Sequence, residues 1–256
     1  MSLFYLDTEH SNGNFYLGDI FELALISEKS GNAFHTLIKI PTQLDNYLKF
    51  MCCITDQKIR KEGIKFEQAF DDMIDFVDIE ADGKKVILAA HSGFLADFPL
   101  LLINCIKNRC DIHKMNEYDF VDTLQILQKD TDIKTTHNTG FSLKSLAEKV
   151  LGDRMLALHS AYNDAVNLKN IFSDDPYKDI LMRNLTNTYD LQTIHQHVNS
   201  KMPITIDDLY THGANVSSPD RLSLLLSKHV REKTALNKSN VNKIASYYYC
   251  FAPVVV

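Results

Sequence analysis

The chain has no apolar run approaching the roughly twenty residues that a membrane-crossing helix needs. Its N-terminal stretch carries neither a basic segment nor a signal-like apolar region, so neither secretion nor a membrane partner is expected. Cysteine is sparse: Cys52, Cys53, Cys105, Cys110 and Cys250 make an odd count without a Cys-x-x-Cys pair. That spacing offers no disulfide framework and points to reduced thiols, hence to an intracellular protein, cytoplasmic or nuclear. Positive charge is also short, with 27 Lys and Arg against 33 Asp and Glu and a net charge of −6. Holding a polyanion by bulk charge is therefore disfavoured, although a local basic patch is not. Internal repeats and low-complexity segments are absent.

What is present is enough apolar sequence for a core. The 256 residues are 45% hydrophobic, which fits one large domain, or one domain with a small appendage. Residues 3–7, 19–27 and 33–40 read as strands. Ser11-Asn12-Gly13-Asn14 and Ser30-Gly31-Asn32 supply the turns between them, and such short connections imply an antiparallel meander. The period then changes. Leu44, Tyr47, Leu48 and Met51 fall at helical spacing, Gly63 interrupts, and Phe66, Phe70, Met73 or Ile74, and Val77 form a second stripe. Val86 to Ala90 reads as a strand, Phe98 to Lys107 as a buried helix, and Tyr118 to Val121 as a fifth strand. Asp122 and Ser142 are placed to cap helices, and another helix runs from Ala161 to Phe172. The order β-β-β-α-α-β-α-β-α-α-α implies an α/β fold: a mixed five-stranded sheet with helices on both faces. Asp174-Asp175-Pro176 marks a boundary, giving a domain over 1–175 and a mostly helical region over 176–256. Helix starts are expected at Ser218-Pro219-Asp220 and at Ser239.

Phe4-Tyr5-Leu6-Asp7-Thr8-Glu9 carries the first chemical signal. Side chains on a strand repeat every two residues, so Asp7 and Glu9 share a face and Thr8 takes the other. Two adjacent acids repel unless a cation lies between them, and hard divalent cations prefer oxygen ligands. Asp97 follows the loop His91-Ser92-Gly93 at the start of a helix. Asp164 opens another helix five residues after His159. Singly, each acid reads as a surface carboxylate or a helix cap. Together the four could hold two Mg²⁺ ions about 3.5–4 Å apart, with His159 on a loop as general base.

In order and spacing, Asp7-Thr8-Glu9, Asp97 and His159-Ser160-Ala161-Tyr162-Asn163-Asp164 resemble the DEDDh exonucleases, whose fold is ribonuclease H-like. The stretch from Ile54-Thr55-Asp56 to Gly63, with Phe66-Glu67-Gln68-Ala69-Phe70, resembles the family's thumb-like segment. Val121-Asp122-Thr123-Leu124 and Phe141-Ser142-Leu143-Lys144-Ser145-Leu146-Ala147 match it too, so the resemblance spans about residues 1–175. One departure is His91-Ser92, where the family usually has His-Asn.

The resemblance implies hydrolysis of nucleic acid from the 3′ end with release of nucleoside 5′-monophosphates. It implies two Mg²⁺ ions, with Mn²⁺ as a substitute. Asp7 would bridge both, Glu9 and Asp164 would complete one shell, Asp97 would hold the other ion, and His159 would take the proton of the attacking water. Thr8, His10, His91 and Ser92 would lie against the substrate. Single-stranded DNA is the favoured substrate, by likeness to three-prime repair and proofreading members; RNA is the alternative. An inactive nucleic-acid-binding or polymerase-associated module is the reading from another class. The C-terminal region is a candidate contact for a protein partner.

Overall fold

The computed structural model describes residues 1–11, 18–130 and 140–201. The turn at Asn12-Gly13-Asn14, most of the 135–140 loop, and the helices expected from Ser218 and Ser239 lie outside the described residues. Five strands form one sheet: β1 (Ser2–His10), β2 (Ile20–Ser27), β3 (Ala33–Leu37), β4 (Val86–Ala90) and β5 (Asp119–Asp122). Their order is β3-β2-β1-β4-β5. The first three pair antiparallel, and β1, β4 and β5 run parallel. This is the mixed sheet expected from a meander followed by crossovers.

Helices α1 (Asn46–Met51), α2 (Asp56–Glu62) and α3 (Phe66–Ala81) precede β4, and α4 (Asp97–Lys107) joins β4 to β5. After β5 come α5 (Thr123–Lys129), α6 (Leu143–Val150), α7 (Ala161–Ser173), α8 (Tyr177–Asn184) and α9 (Leu191–Lys201). Asp122 and Ser142 cap α5 and α6 as expected, accepting from the N–H of Gln125 and Ser145 at 3.2 Å. Three helices, not two, separate β3 from β4. The additional one, α2, buries Ile59 alone, so it has no apolar stripe for a periodicity to reveal. Thr55 starts it by accepting from Lys58 N–H at 3.1 Å.

Alternation along the central strands divides the core. Phe4, Leu6, Leu23, Leu25, Leu88 and Phe120 face α3, α4 and α9. Tyr5, Ile87, Ala89 and Val121 face the opposite layer, built from α5 to α8. Both layers are built of buried apolar side chains, and each fully buried Leu or Phe is worth about 1.5–3 kcal/mol relative to exposure. Beyond Pro176, Tyr177, Ile180 and Leu181 of α8 join the second layer, and Leu191, Ile194 and Val198 of α9 join the first. The described part of the C-terminal region is thus helical and packed on both faces of the sheet. Among the described residues, no helix is long and apolar enough to cross a membrane.

Candidate active site

Asp7 and Glu9 lie at the C-terminal end of β1, the middle strand of the sheet. They share a face with Tyr5, and α7 covers that face. Small residues in the contact, Ala24 on β2 against Ala161 and Ala165 on α7, let the helix come close, with Ile26 and Val166 packed beside them. Asp164 sits in the first turn of α7 and is carried down onto the strand. One carboxylate oxygen each from Asp7, Glu9 and Asp164 then lies within 4.8 Å of the other two.

Such crowding is costly for ionised groups. Burial, and then the charges of Asp97, Asp164 and Glu9, hold the Asp7 carboxyl well above the ordinary carboxylate range. Burial, with Asp164 and Glu22 beside it, pushes Glu9 up to about 8. Burial pushes Asp164 up to about 6, against the bond it accepts from the His159 N–H at 3.0 Å. The other oxygen of Asp164, Oδ1, is buried without a hydrogen-bond donor. A buried carboxylate with one oxygen unsatisfied, clustered with two further carboxylates, fits a hard divalent cation, and the donor set is all oxygen, as Mg²⁺ or Mn²⁺ prefers.

Asp97 reaches the site from the opposite side of the sheet. Thr8 points to the face of Phe4 and Leu6, which α4 covers, and Asp97 is the first residue of α4. Its Oδ1 accepts from Thr8 Oγ1 at 2.7 Å and from Thr8 N–H at 3.1 Å. The structure therefore brings three of the four expected acids into one cluster and sets the fourth beside it. Asp97 still is the strongest charge acting on Asp7, and burial pushes its own carboxyl up to about 7.

The loop that delivers Asp97 is tight. Ser92 has φ 63°, and its carbonyl accepts from the N–H groups of Leu95 and Ala96. A Cβ on Gly93 would come within 2.7 Å of both Ala90 and the Phe98 ring. His91 is held within the protein: its ring nitrogens lie 3.0 Å from Thr123 Oγ1 and 2.7 Å from the Phe141 carbonyl. Neither His91 nor Ser92 joins the acid cluster. His159 is exposed, with φ 68°, on the loop entering α7. His10 follows an irregularity in the β1–β2 pairing at Glu9 and is half-buried.

Glu22 belongs to the site although no motif in the sequence marks it. It pairs with Glu9 across β1 and β2 and is 5% exposed. Its Oε1 accepts from Ser160 Oγ at 2.9 Å and lies 2.8 Å from His35 Nε2. Burial opposes its ionisation, but the bonds from His35, Ser160 and the Ala161 backbone outweigh that and leave the carboxyl below its ordinary value. Glu22 thus anchors the start of α7. Its signal was an acid inside the otherwise apolar run Ile20-Phe21-Glu22-Leu23. Cys52 was also unforeseen here: its thiol lies 3.7 Å from Glu9 Oε2, and burial together with Glu9 pushes it up to about 12. Glu22 and Ser160 line a cleft of about 350 Å³ together with Cys52, Cys53, Ile54, Lys58 and Glu62.

No family model matches the chain, and no curated protein matches it. Solved structures do. The nuclease domain of 3′hExo, a DEDDh family member, bound to rAMP, superposes with a TM-score of 0.55 at 16% identity, over 74% of this chain and 95% of that one. A 3′-exonuclease in a structure of 3′-end specific recognition of a histone mRNA stem-loop gives 0.55 at 16%, over 74% and 84%. A full-length 3′-exonuclease gives 0.53 at 18%, over 73% and 82%. The chain has the fold of the DEDDh nuclease domain. The ribonuclease H-like architecture implied by the resemblance is therefore the one observed, and its sheet presents Asp7 and Glu9 on the central strand.

Proposed function

We propose that the protein is a metal-dependent 3′→5′ exonuclease that releases nucleoside 5′-monophosphates. The observation that carries this is the convergence of Asp7, Glu9 and Asp164, 157 positions apart at the extremes, onto ligating oxygens within 4.8 Å of one another. These three would hold divalent metal, Mg²⁺ or Mn²⁺, and Asp97 would bind a second ion next to Asp7. When bound, the ions stabilise charge on the attacking and leaving oxygens of a phosphodiester. His159 stands exposed beside Asp164, where it accepts the proton of the attacking water. The Asp164 carboxylate holds the His159 backbone, so the base and a metal ligand are positioned as one unit. Thr8 keeps Asp97 in place and, with His10, borders the 3′-terminal nucleotide. The adjoining cleft has a volume suited to a nucleotide, at the small end of ligand pockets. His91 and Ser92 act by shaping the loop that presents Asp97.

Residues 1–175 carry this chemistry, and the region from 176, which begins with two helices that brace the sheet, is the one that takes a protein partner. Single-stranded DNA is the substrate by likeness of the motif spacing and of the Ile54-Thr55 segment to repair and proofreading enzymes. Single-stranded RNA is the second reading, favoured by the RNA stem-loop and rAMP named for the structural neighbours. The test is digestion of 5′-labelled single-stranded DNA and RNA with Mg²⁺ or Mn²⁺, beside Asp7→Ala. Stepwise shortening from the 3′ end, lost in Asp7→Ala, is expected. Equal shortening by both proteins overturns the metal assignment, and none by either leaves a binding module without activity.

A further inference from the structure

Helices α1 and α2 carry features that neither the core nor the acid site uses. The inward side of α1 is Leu48, which with Cys52 packs against Phe21, Leu37, Leu44, Ile54 and Ile59. On its outer side Tyr47 is 69% exposed and Phe50 79% exposed. Three positions apart on a helix, the two rings share one face. On α2, Lys58, Arg60 and Lys61 are exposed; among the described residues none makes a close salt bridge, and Arg60 acts only at longer range on Asp56. Lys49, in contrast, is spent on Asp56 at 2.5 Å. The next helix, α3, carries Glu67, Asp71, Asp72, Asp75, Asp78 and Glu80 and no base at all. In a chain of net charge −6, α2 carries three bases against the two acids Asp56 and Glu62, beside an open aromatic pair. Lys58 also lines the cleft that reaches Glu22 and Ser160, so the arm continues from the acid site.

We propose that the α1–α2 arm is a separate contact for single-stranded nucleic acid. Tyr47 and Phe50 stack on unpaired bases lying 5′ of the terminal nucleotide, and Lys58, Arg60 and Lys61 take backbone phosphates. Stacking needs an open base face, which a duplex does not offer, and a positive flank beside aromatic rings is the combination that holds single strands without sequence preference. This inference rests on the exonuclease reading for the direction of the strand, but not for the binding itself.

The test uses the full chain with Tyr47→Ala and Phe50→Ala combined, and separately Lys58→Ala with Lys61→Ala. Substrates are a twenty-residue single strand and a dinucleotide too short to reach the arm. The aromatic double variant should raise KM for the long strand about tenfold or more, in line with stacking on one or two bases, and leave dinucleotide hydrolysis unchanged. The lysine variant should weaken the salt dependence of KM. Wild-type KM for the long strand in the aromatic variant overturns the proposal. If the wild-type protein cleaves neither substrate, the exonuclease reading has failed instead, and fluorescence anisotropy of the labelled long strand on Asp7→Ala decides the arm. Unchanged affinity on adding Tyr47→Ala and Phe50→Ala overturns it there. So does a dimer, seen by sedimentation, that the aromatic variant dissolves while strand binding stays intact.

Discussion

Glu22 accepts a hydrogen bond from Ser160 at 2.9 Å, across 138 positions of sequence. Through it the second strand of the meander holds the N-terminus of α7, and α7 carries Asp164. Ser160 makes no capping bond of its own, so the carboxylate from β2 does the capping. Replacing Glu22 by Ala leaves the Ser160 hydroxyl and the Ala161 N–H without this acceptor. The expected cost is about 1–3 kcal/mol of stability. Turnover should fall as well, with kcat more affected than KM, and Glu22→Gln should recover part of both. A melting curve and rate like the wild type for Glu22→Ala would show that α7 is placed without it.

Metal and pH are linked at the acid cluster. In metal-free protein the folded values of Asp164, Asp97 and Glu9 rise to about 6, 7 and 8, from ordinary values of 3.8, 3.8 and 4.5. The folded state then binds protons more tightly than the unfolded chain, so this contribution to stability is present at acid pH and lost as pH rises. In chelator, the melting temperature should decline between about pH 5 and pH 8. Adding Mg²⁺ or Mn²⁺ at pH 7.5 should raise it, because the ion binds the folded state alone. A curve that is flat in pH and indifferent to metal would show that these carboxylates hold no cation.

His159 has φ 68°, a conformation that Asn tolerates better than Ala. His159→Asn therefore removes the imidazole with least disturbance to the backbone that Asp164 holds. The rate should drop about a hundredfold or more, as for a lost general base. The melting temperature should hardly move, since the ring is exposed. A rate within a few-fold of wild type would assign the proton to another group.

Gly93 is a steric requirement. Its Cβ substituent would sit 2.7 Å from Ala90 and Phe98, both buried. Gly93→Ala should destabilise the protein by about 1–3 kcal/mol and displace the loop leading to Asp97. Thermal unfolding at fixed pH measures the first, and loss of turnover at saturating metal the second. Unchanged values for both would mean that the loop yields freely.

Much of the architecture was legible in the chain alone. The apolar runs marked all five strands, and Asp122 and Ser142 announced their helices. Alternation on β1 by itself put Asp7 and Glu9 together and Thr8 apart. The helix α2 was not legible, because a seven-residue helix with one buried side chain leaves no period to detect. The helices over 177–184 and 191–201 did carry apolar spacings, at Tyr177, Ile180 and Leu181 and at Leu191, Ile194 and Val198, which only their burial against the sheet makes decisive.

The tertiary structure alone decided which helix covers which face. A period of two says that Asp7 and Thr8 point apart, but not that α7 closes on the first and α4 on the second. That choice follows from the crossovers and from the small residues Ala24, Ala161 and Ala165, which let α7 approach. It makes Asp164 a partner of Asp7 and Glu9 and turns Asp97 toward Thr8. It also gives Glu22 its work, since a carboxylate in an apolar strand finds its donors only when a helix terminus from far along the chain arrives above it.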